Sequence, residues 1–272
     1  PGPLRAAPTQ GFTHSVASGD PHQESVTLWT RYIPADRGTA ELQVEIARNL
    51  DFGQSVMRSV AKAGPESDYC AKVRIAGLDP GAWYYYRFTA PDGQRSDIGR
   101  PRALPAGPLG NFRIGVFSCA NATSGWFNAY GHAAARDDLD LIVHLGDYIY
   151  ESRLDRSDAL EELAIGRNIQ PRHEIVSLLD YRLRYASYRM DPDLQAIHRN
   201  FPIIAMCDDH ETVNNSWQDG AENHGEHEGP WPVRMRAAMQ AWHEWMPMES
   251  EPYARYDLGD LASLYRLETR IV

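Results

Sequence analysis

From Ser25 to Ala90 apolar and polar residues alternate with a period of two. SVTLWTR (25–31), AELQVEIA (40–47), YCAKVRIAGL (69–78) and WYYYRFTA (83–90) carry the pattern, punctuated by Asp79-Pro80-Gly81 and Asp92-Gly93. Such alternation places one face of each strand in a core and the other toward water. It predicts an antiparallel β-sandwich of roughly ninety residues. Trp29, Trp83 and Tyr85 fit that sandwich as core or cross-strand aromatics; a carbohydrate platform is the alternative reading. Proline and glycine then crowd RPRALPAGPLG (100–110), a break in organisation.

Beyond the break the rhythm changes. Short apolar runs at 112–118, 140–146 and 202–207 alternate with helical patterns at about 126–137 and 177–189. This sequence of elements predicts an α/β arrangement with parallel strands. Tyr181, Tyr185 and Tyr188 recur at helical spacing and read as packing residues. The stretch from Glu151 to Pro171 is a long excursion of mixed charge, placed to rim whatever the preceding loop builds.

Chemistry gathers where these three runs end. The first stops at Ser118-Cys119, the second at Gly146-Asp147 with Tyr150 three positions on, the third at Asp208-Asp209-His210-Glu211. A lone cysteine is usually a small core residue, and a glycine turn followed by two polar side chains is ordinary surface. Four ionisable residues directly after a buried strand are harder to explain by packing, because charge near a core is costly unless paired or bound to a cation. Open α/β sheets place their sites at the carboxyl ends of strands, so the three ends together suggest a metal centre.

Composition narrows the function without choosing it. With 272 residues, 43% hydrophobic and a net charge of −10, the chain reads as a globular protein with room for two domains. The negative balance argues against nucleic acid or an anionic membrane as default partner. No apolar run approaches the roughly 20 residues of a membrane span. Cysteines 70, 119 and 207 are odd in number and give no disulfide framework, and Cys207 reads as a core residue. Neither a Gly-x-Ser-x-Gly elbow nor a phosphate-binding P-loop is present.

The motifs resemble a known family. GDYIY (146–150) is similar to the GDxxY signature of the metallophosphatases, and DDHE (208–211) to their GNHE or GNHD block. Ser118-Cys119, standing where other members carry Asp-x-His, resembles the PhoD-type alkaline phosphatases. So do GFTHSVASGDP (11–21), VTLWTR (26–31), residues 174–198, GAENH (220–224) and WHEWMPM (242–248).

The resemblance implies an immunoglobulin- or fibronectin-like β-sandwich over 1–105. A metallophosphatase four-layer α/β/β/α domain over 106–272 is expected to follow it. It implies Asp147 as the carboxylate bridging two metals and Tyr150 as a phenolate on a ferric ion, as in purple acid phosphatases. Thiolate and phenolate both stabilise a trivalent ion, so Cys119 with Tyr150 favours Fe³⁺, with Zn²⁺ the alternative. Asp209 should bind the second metal, and Asp208 beside it favours Ca²⁺. His210 matches the histidine that hydrogen-bonds the phosphoryl oxygen and assists the leaving group; its other reading is a residue orienting Asp209. Glu211, Asn214 and Asn215 are placed around these ligands.

The implied activity is hydrolysis of phosphomonoesters, phosphodiesters or both, by in-line attack of a metal-bound hydroxide. A phospholipase D-like diesterase is one alternative. An iron oxidoreductase and a non-catalytic β-sandwich binding protein with a degenerate α/β domain are the others. The family is exported through a twin-arginine signal, which implies a periplasmic or secreted protein.

The superfamily also draws histidine ligands from VxxH and GHxH blocks. After Glu211 only His224, His227 and His243 remain, and none follows a buried strand. A further segment or second chain is therefore expected to complete the site and to cover a sheet begun at LYRLETRIV, unless His224 or His227 folds back.

Overall fold

Three strands of the first hundred residues and the three parallel strands of the α/β part form one sheet. The protein is described by a computed structural model over residues 9–53, 57–154, 167–249 and 251–271. β1 (Gly11–Gly19), β2 (Ser25–Ile33) and β5 (Cys70–Ala76) are antiparallel neighbours. β7 (Ile114–Phe117), β8 (Leu141–His144) and β9 (Pro202–Ala205) are parallel. β1 joins the two groups by pairing Ser18 with Pro202 and Gly19 with Ile203, giving the order β5-β2-β1-β9-β8-β7. Gly19 allows the approach: a Cβ there would lie 2.5 Å from the Pro247 carbonyl oxygen and 2.8 Å from that of Ile203.

A second sheet, β4 (Met57–Ala63), β3 (Ala40–Ala47) and β6 (Tyr85–Thr89), packs on the antiparallel half. The core between them holds Val26, Leu28, Leu42, Val44, Tyr86 and Phe88. The opposite face of β1 and β2 presents Ala17 and Trp29 to a different core, shared with Ile142, Ile203, Tyr185 and Trp245. Both faces of these strands are therefore buried.

Among the described residues four helices build that second core: α1 (Asn128–Ala134), α2 (Leu178–Tyr188), α3 (Pro192–Asn200) and α4 (Trp231–Trp245). α2 starts in a capping box, with Ser177 Oγ accepting from the Asp180 N–H and the Asp180 carboxylate accepting from the Ser177 N–H. Asp191 caps α3 by accepting from the N–H groups of Asp193 and Leu194, with Pro192 in the first turn. Tyr181, Tyr185 and Tyr188 are buried, as their spacing predicts. Two short strands, β10 (Ser216–Trp217) and β11 (Gly220–Ala221), form a small ribbon. β12 (Ala254–Leu258) and β13 (Ala262–Arg266) pair as a separate two-stranded sheet.

Trp29 is fully buried, which rules out a carbohydrate platform there. Trp83 lies under the Arg100 guanidinium, 3.9 Å from the ring centre. The Trp29 indole N–H donates to the Glu244 carbonyl at 2.8 Å, and the Arg189 guanidinium sits 4.2 Å above its ring. Replacing Trp29 with alanine is expected to cost about 3–5 kcal/mol, the range for deleting a large buried aromatic. Urea unfolding with an unchanged midpoint would contradict this account.

The three parallel strands are shorter than the apolar runs. Backbone beyond Phe117 and His144 leaves the sheet: Cys119 (φ 56°), Gly146 (φ 104°) and Asp147 (φ 55°) adopt left-handed conformations. Strain of this kind persists only where the surroundings hold it, and here it marks the strand ends that carry chemistry. Most of the excursion after Glu151, residues 155–166, lies outside the described residues.

Candidate metal centre

Because β7, β8 and β9 are adjacent and parallel, their carboxyl ends open side by side. Two hydrogen bonds tie the first two ends together: the Cys119 N–H donates to the Gly146 carbonyl (3.2 Å) and the Ala120 N–H to the Asp147 carbonyl (2.8 Å). Within GDYIY the side chains divide. Tyr148 and Ile149 enter the core, while Asp147 and Tyr150 meet at the site.

Asp147 is the centre of the cluster. Its Oδ2 accepts from the Cys119 thiol at 3.4 Å and from the Tyr150 hydroxyl at 3.3 Å. Asp147, Asp209 and His210 each offer a ligand atom within 4.8 Å of the others. The Tyr150 ring lies against the His210 imidazole, 4.2 Å between centroids. Cys119, Asp147, Tyr150, Asp209 and His210 thus come together from three strand ends. Asp208 turns aside: its carboxylate accepts from Arg270 Nε at 2.6 Å, and Arg270 Nη2 is 3.9 Å from Asp209. His224 shares a hydrogen bond with the Gly229 carbonyl and packs near Trp231, and neither it, His227 nor His243 enters the grouping found among the described residues.

Two buried glutamates hold this arrangement. Glu211 accepts from the Tyr148 N–H (2.5 Å) and the Asp208 N–H (2.8 Å), pinning the loop after β8 to the loop after β9. Glu151 accepts from the Asn214 N–H (2.8 Å) and pairs through its other oxygen with His210 Nδ1 (2.7 Å). That contact fixes which ring nitrogen of His210 remains for the site. In sequence Glu151 marks only the start of the excursion. An acid four residues after Asp147, on the same ligand loop, is the signal that points to it.

Electrostatics at the cluster follow from burial and crowding. Burial raises the Asp147 pKa, and the neighbouring Asp209 and Asp208 carboxylates add to the rise against His210 and Cys119. Burial and the Asp147 carboxylate likewise push Tyr150 up, so without a cation the phenol keeps its proton. Asp209 is held below its ordinary value: burial opposes this, but the Asn215 N–H, at 2.5 Å, and the His210 charge outweigh it. Glu211 is pushed up to about 7 by burial. At His210 burial works downward, but Glu151 and the nearby aspartates outweigh it and the pKa is raised. Its pairing therefore contributes stability fully below the unfolded value of 6.5 and loses it as pH rises through the folded value. A cation among these side chains would reverse the penalty on Asp147 and Tyr150. The donor set of thiol, phenol, carboxylates and imidazole fits a metal.

The fold and the donor set together define a metallophosphatase-type protein, and comparison with known proteins agrees. A purple acid phosphatase from yellow lupin (Lupinus luteus) seeds, PPD1, shares the fold: TM-score 0.56 at 14% identity, covering 91% of this chain and 43% of that one. The solved structure of PhoD superposes with a TM-score of 0.82 at 30% identity, over 96% of this chain and 52% of that one. Alkaline phosphatase D of Bacillus subtilis (strain 168) is 35% identical over 280 residues, covering 95% of this chain and 46% of that protein. Residues 3–105 match the N-terminal domain of PhoD-like phosphatases, and residues 114–272 match the PhoD-like phosphatase domain itself. The chain belongs to the PhoD-like phosphatase family. It spans about half the length of the relatives it matches. Among the described residues no helix is long and apolar enough to cross a membrane.

Proposed function

We propose that this protein hydrolyses phosphate esters at the cluster centred on Asp147, with Fe³⁺ and Ca²⁺ as its metals. The observation that carries the reading is the convergence of Cys119, Asp147, Tyr150, Asp209 and His210 from three neighbouring strand ends. Cys119, Asp147 and Tyr150 form the thiolate, carboxylate and phenolate set suited to Fe³⁺. Asp209, with Asp147 shared, offers hard oxygen to Ca²⁺. Asp208 borders this second position, and its pairing with Arg270 makes it the weaker ligand candidate. When bound, two cations supply charge to clamp phosphoryl oxygens and to activate water for in-line attack. His210, oriented by Glu151, holds a proton at its outer ring nitrogen, where it serves the phosphoryl oxygen or the departing alcohol. In the same reading, residues 1–105 form an accessory β-sandwich domain, residues 106–272 carry the catalytic part, and the protein is exported to the periplasm or beyond.

Side-by-side assay of aryl phosphate mono- and diesters with iron- and calcium-loaded protein tests the activity. Absence of turnover on both would reject it, and metal analysis then separates a binding protein (no metal) from an oxidoreductase (metal retained). The ligand assignment has its own test. In an iron-loaded sample, Tyr150→Phe should abolish the visible phenolate-to-iron absorption band; an unchanged spectrum would remove Tyr150 from the ligand set.

A further inference from the structure

A cavity of about 290 Å³ opens beside the Cys119 thiol, between the end of β7 and the start of α1. Phe117, Trp126, Phe127 and Tyr130 line it, with Cys119 on one wall. Three of these aromatics brace one another: Phe117 and Phe127 lie 4.8 Å and 5.3 Å from the Tyr130 ring, and Phe127 and Tyr130 are buried. Trp126 differs, being 38% exposed and preceded by Gly125 at positive φ (145°). The fold gains little from an exposed indole there, whereas a ligand in the cavity would gain a flat apolar surface.

Two further features define what would occupy the space. Among the described residues no Asp, Glu, Lys, Arg or His lines the cavity, so a charged group entering it would meet no opposite charge, only the neutral polar side chains of Ser118, Asn121 and Ser124. Cys119 belongs both to the cavity wall and to the cluster, with its sulfur 3.4 Å from Asp147 Oδ2. A phosphoryl group at the cluster therefore has this cavity beside it, and the volume suits a single substituent, being near the lower end for small-ligand pockets.

We propose that the cavity is the subsite for an uncharged aryl or alkyl ester group, with Trp126 as its specificity-determining wall. The proposal rests on the phosphate ester reading of the cluster. It assigns the substrate class as esters of neutral, apolar alcohols rather than those bearing a second charged head.

Two non-hydrolysable probes test this by calorimetry on metal-loaded protein: phenylphosphonate and methylphosphonate, which share the anionic group and differ only in the apolar one. Phenylphosphonate should bind more tightly by roughly tenfold, the scale of a ring stacked and buried on an aromatic wall. Trp126→Ala should bring the two affinities close together, while Trp126→Phe should keep most of the difference. Equal binding of the probes by the unaltered protein, or a preference that survives Trp126→Ala, would overturn the subsite and leave the phosphate ester reading standing. Failure of both probes to bind would overturn that reading and the subsite with it.

Discussion

Alanine in place of Gly146 is expected to strip the protein of its metals and much of its stability. A Cβ at this position would lie 2.4 Å from the Asp208 backbone nitrogen, 2.6 Å from Asp208 Cβ and 2.9 Å from the Cys207 carbonyl carbon. Two of those atoms are backbone, so no rotamer change relieves the clash. The residue also sits at φ 104°, where an L side chain is strained whatever the space. Backbone strain costs about 1–3 kcal/mol, and the overlap adds a similar amount. The relief available is to part the loop after β8 from the loop after β9, which separates Asp147 from Asp209 and His210. Thermal unfolding and metal analysis of Gly146→Ala check both parts. A variant with the parent's melting temperature and full metal content would show that the close approach is not needed.

His210→Ala should lower turnover by roughly two to four powers of ten, the usual scale for a positioned acid or base, with metal content nearly unchanged. Loss of metal in this variant would instead make His210 a ligand, which its place within 4.8 Å of Asp147 and Asp209 permits. Glu151→Gln provides the companion measurement. Burial pulls the His210 pKa down and Glu151 is the main influence holding it up, so a neutral amide there should lower it. If the protonated ring is the working form, activity falls as pH rises through that pKa, and the alkaline limb of the profile should move to lower pH. A profile that does not move would separate Glu151 from the chemistry and leave it a structural role.

The α/β strands and the ends that carry Cys119, Asp147 and Asp209-His210 are legible in the sequence, because packing alone does not account for a short apolar run that stops abruptly at metal-binding side chains. β1 carries no such signature. It is buried on both faces between β2 and β9, so no alternation appears in GFTHSVASG. The expected strands run one or two residues too long at their carboxyl ends, because apolar residues such as Leu145 and Met206 continue past the last residue of the strand. Asp208 looks like the equal of Asp209 in sequence, since neighbouring acids carry nothing to tell them apart. Their separation depends on Arg270, 62 positions away. The partnership of Glu151 with His210 spans 59 positions and has no local signature either.

The two residue pairs that connect β1 to β9 have a consequence for dissecting the protein. Taking away the first hundred residues would uncover the backbone rim of β9, the strand that delivers Asp209 and His210, and would bare the apolar faces of Ala17's and Trp29's former neighbours. An open rim of this kind recruits other chains. A catalytic fragment cut at the proline-rich break is therefore expected to aggregate, however natural that cut looks from composition.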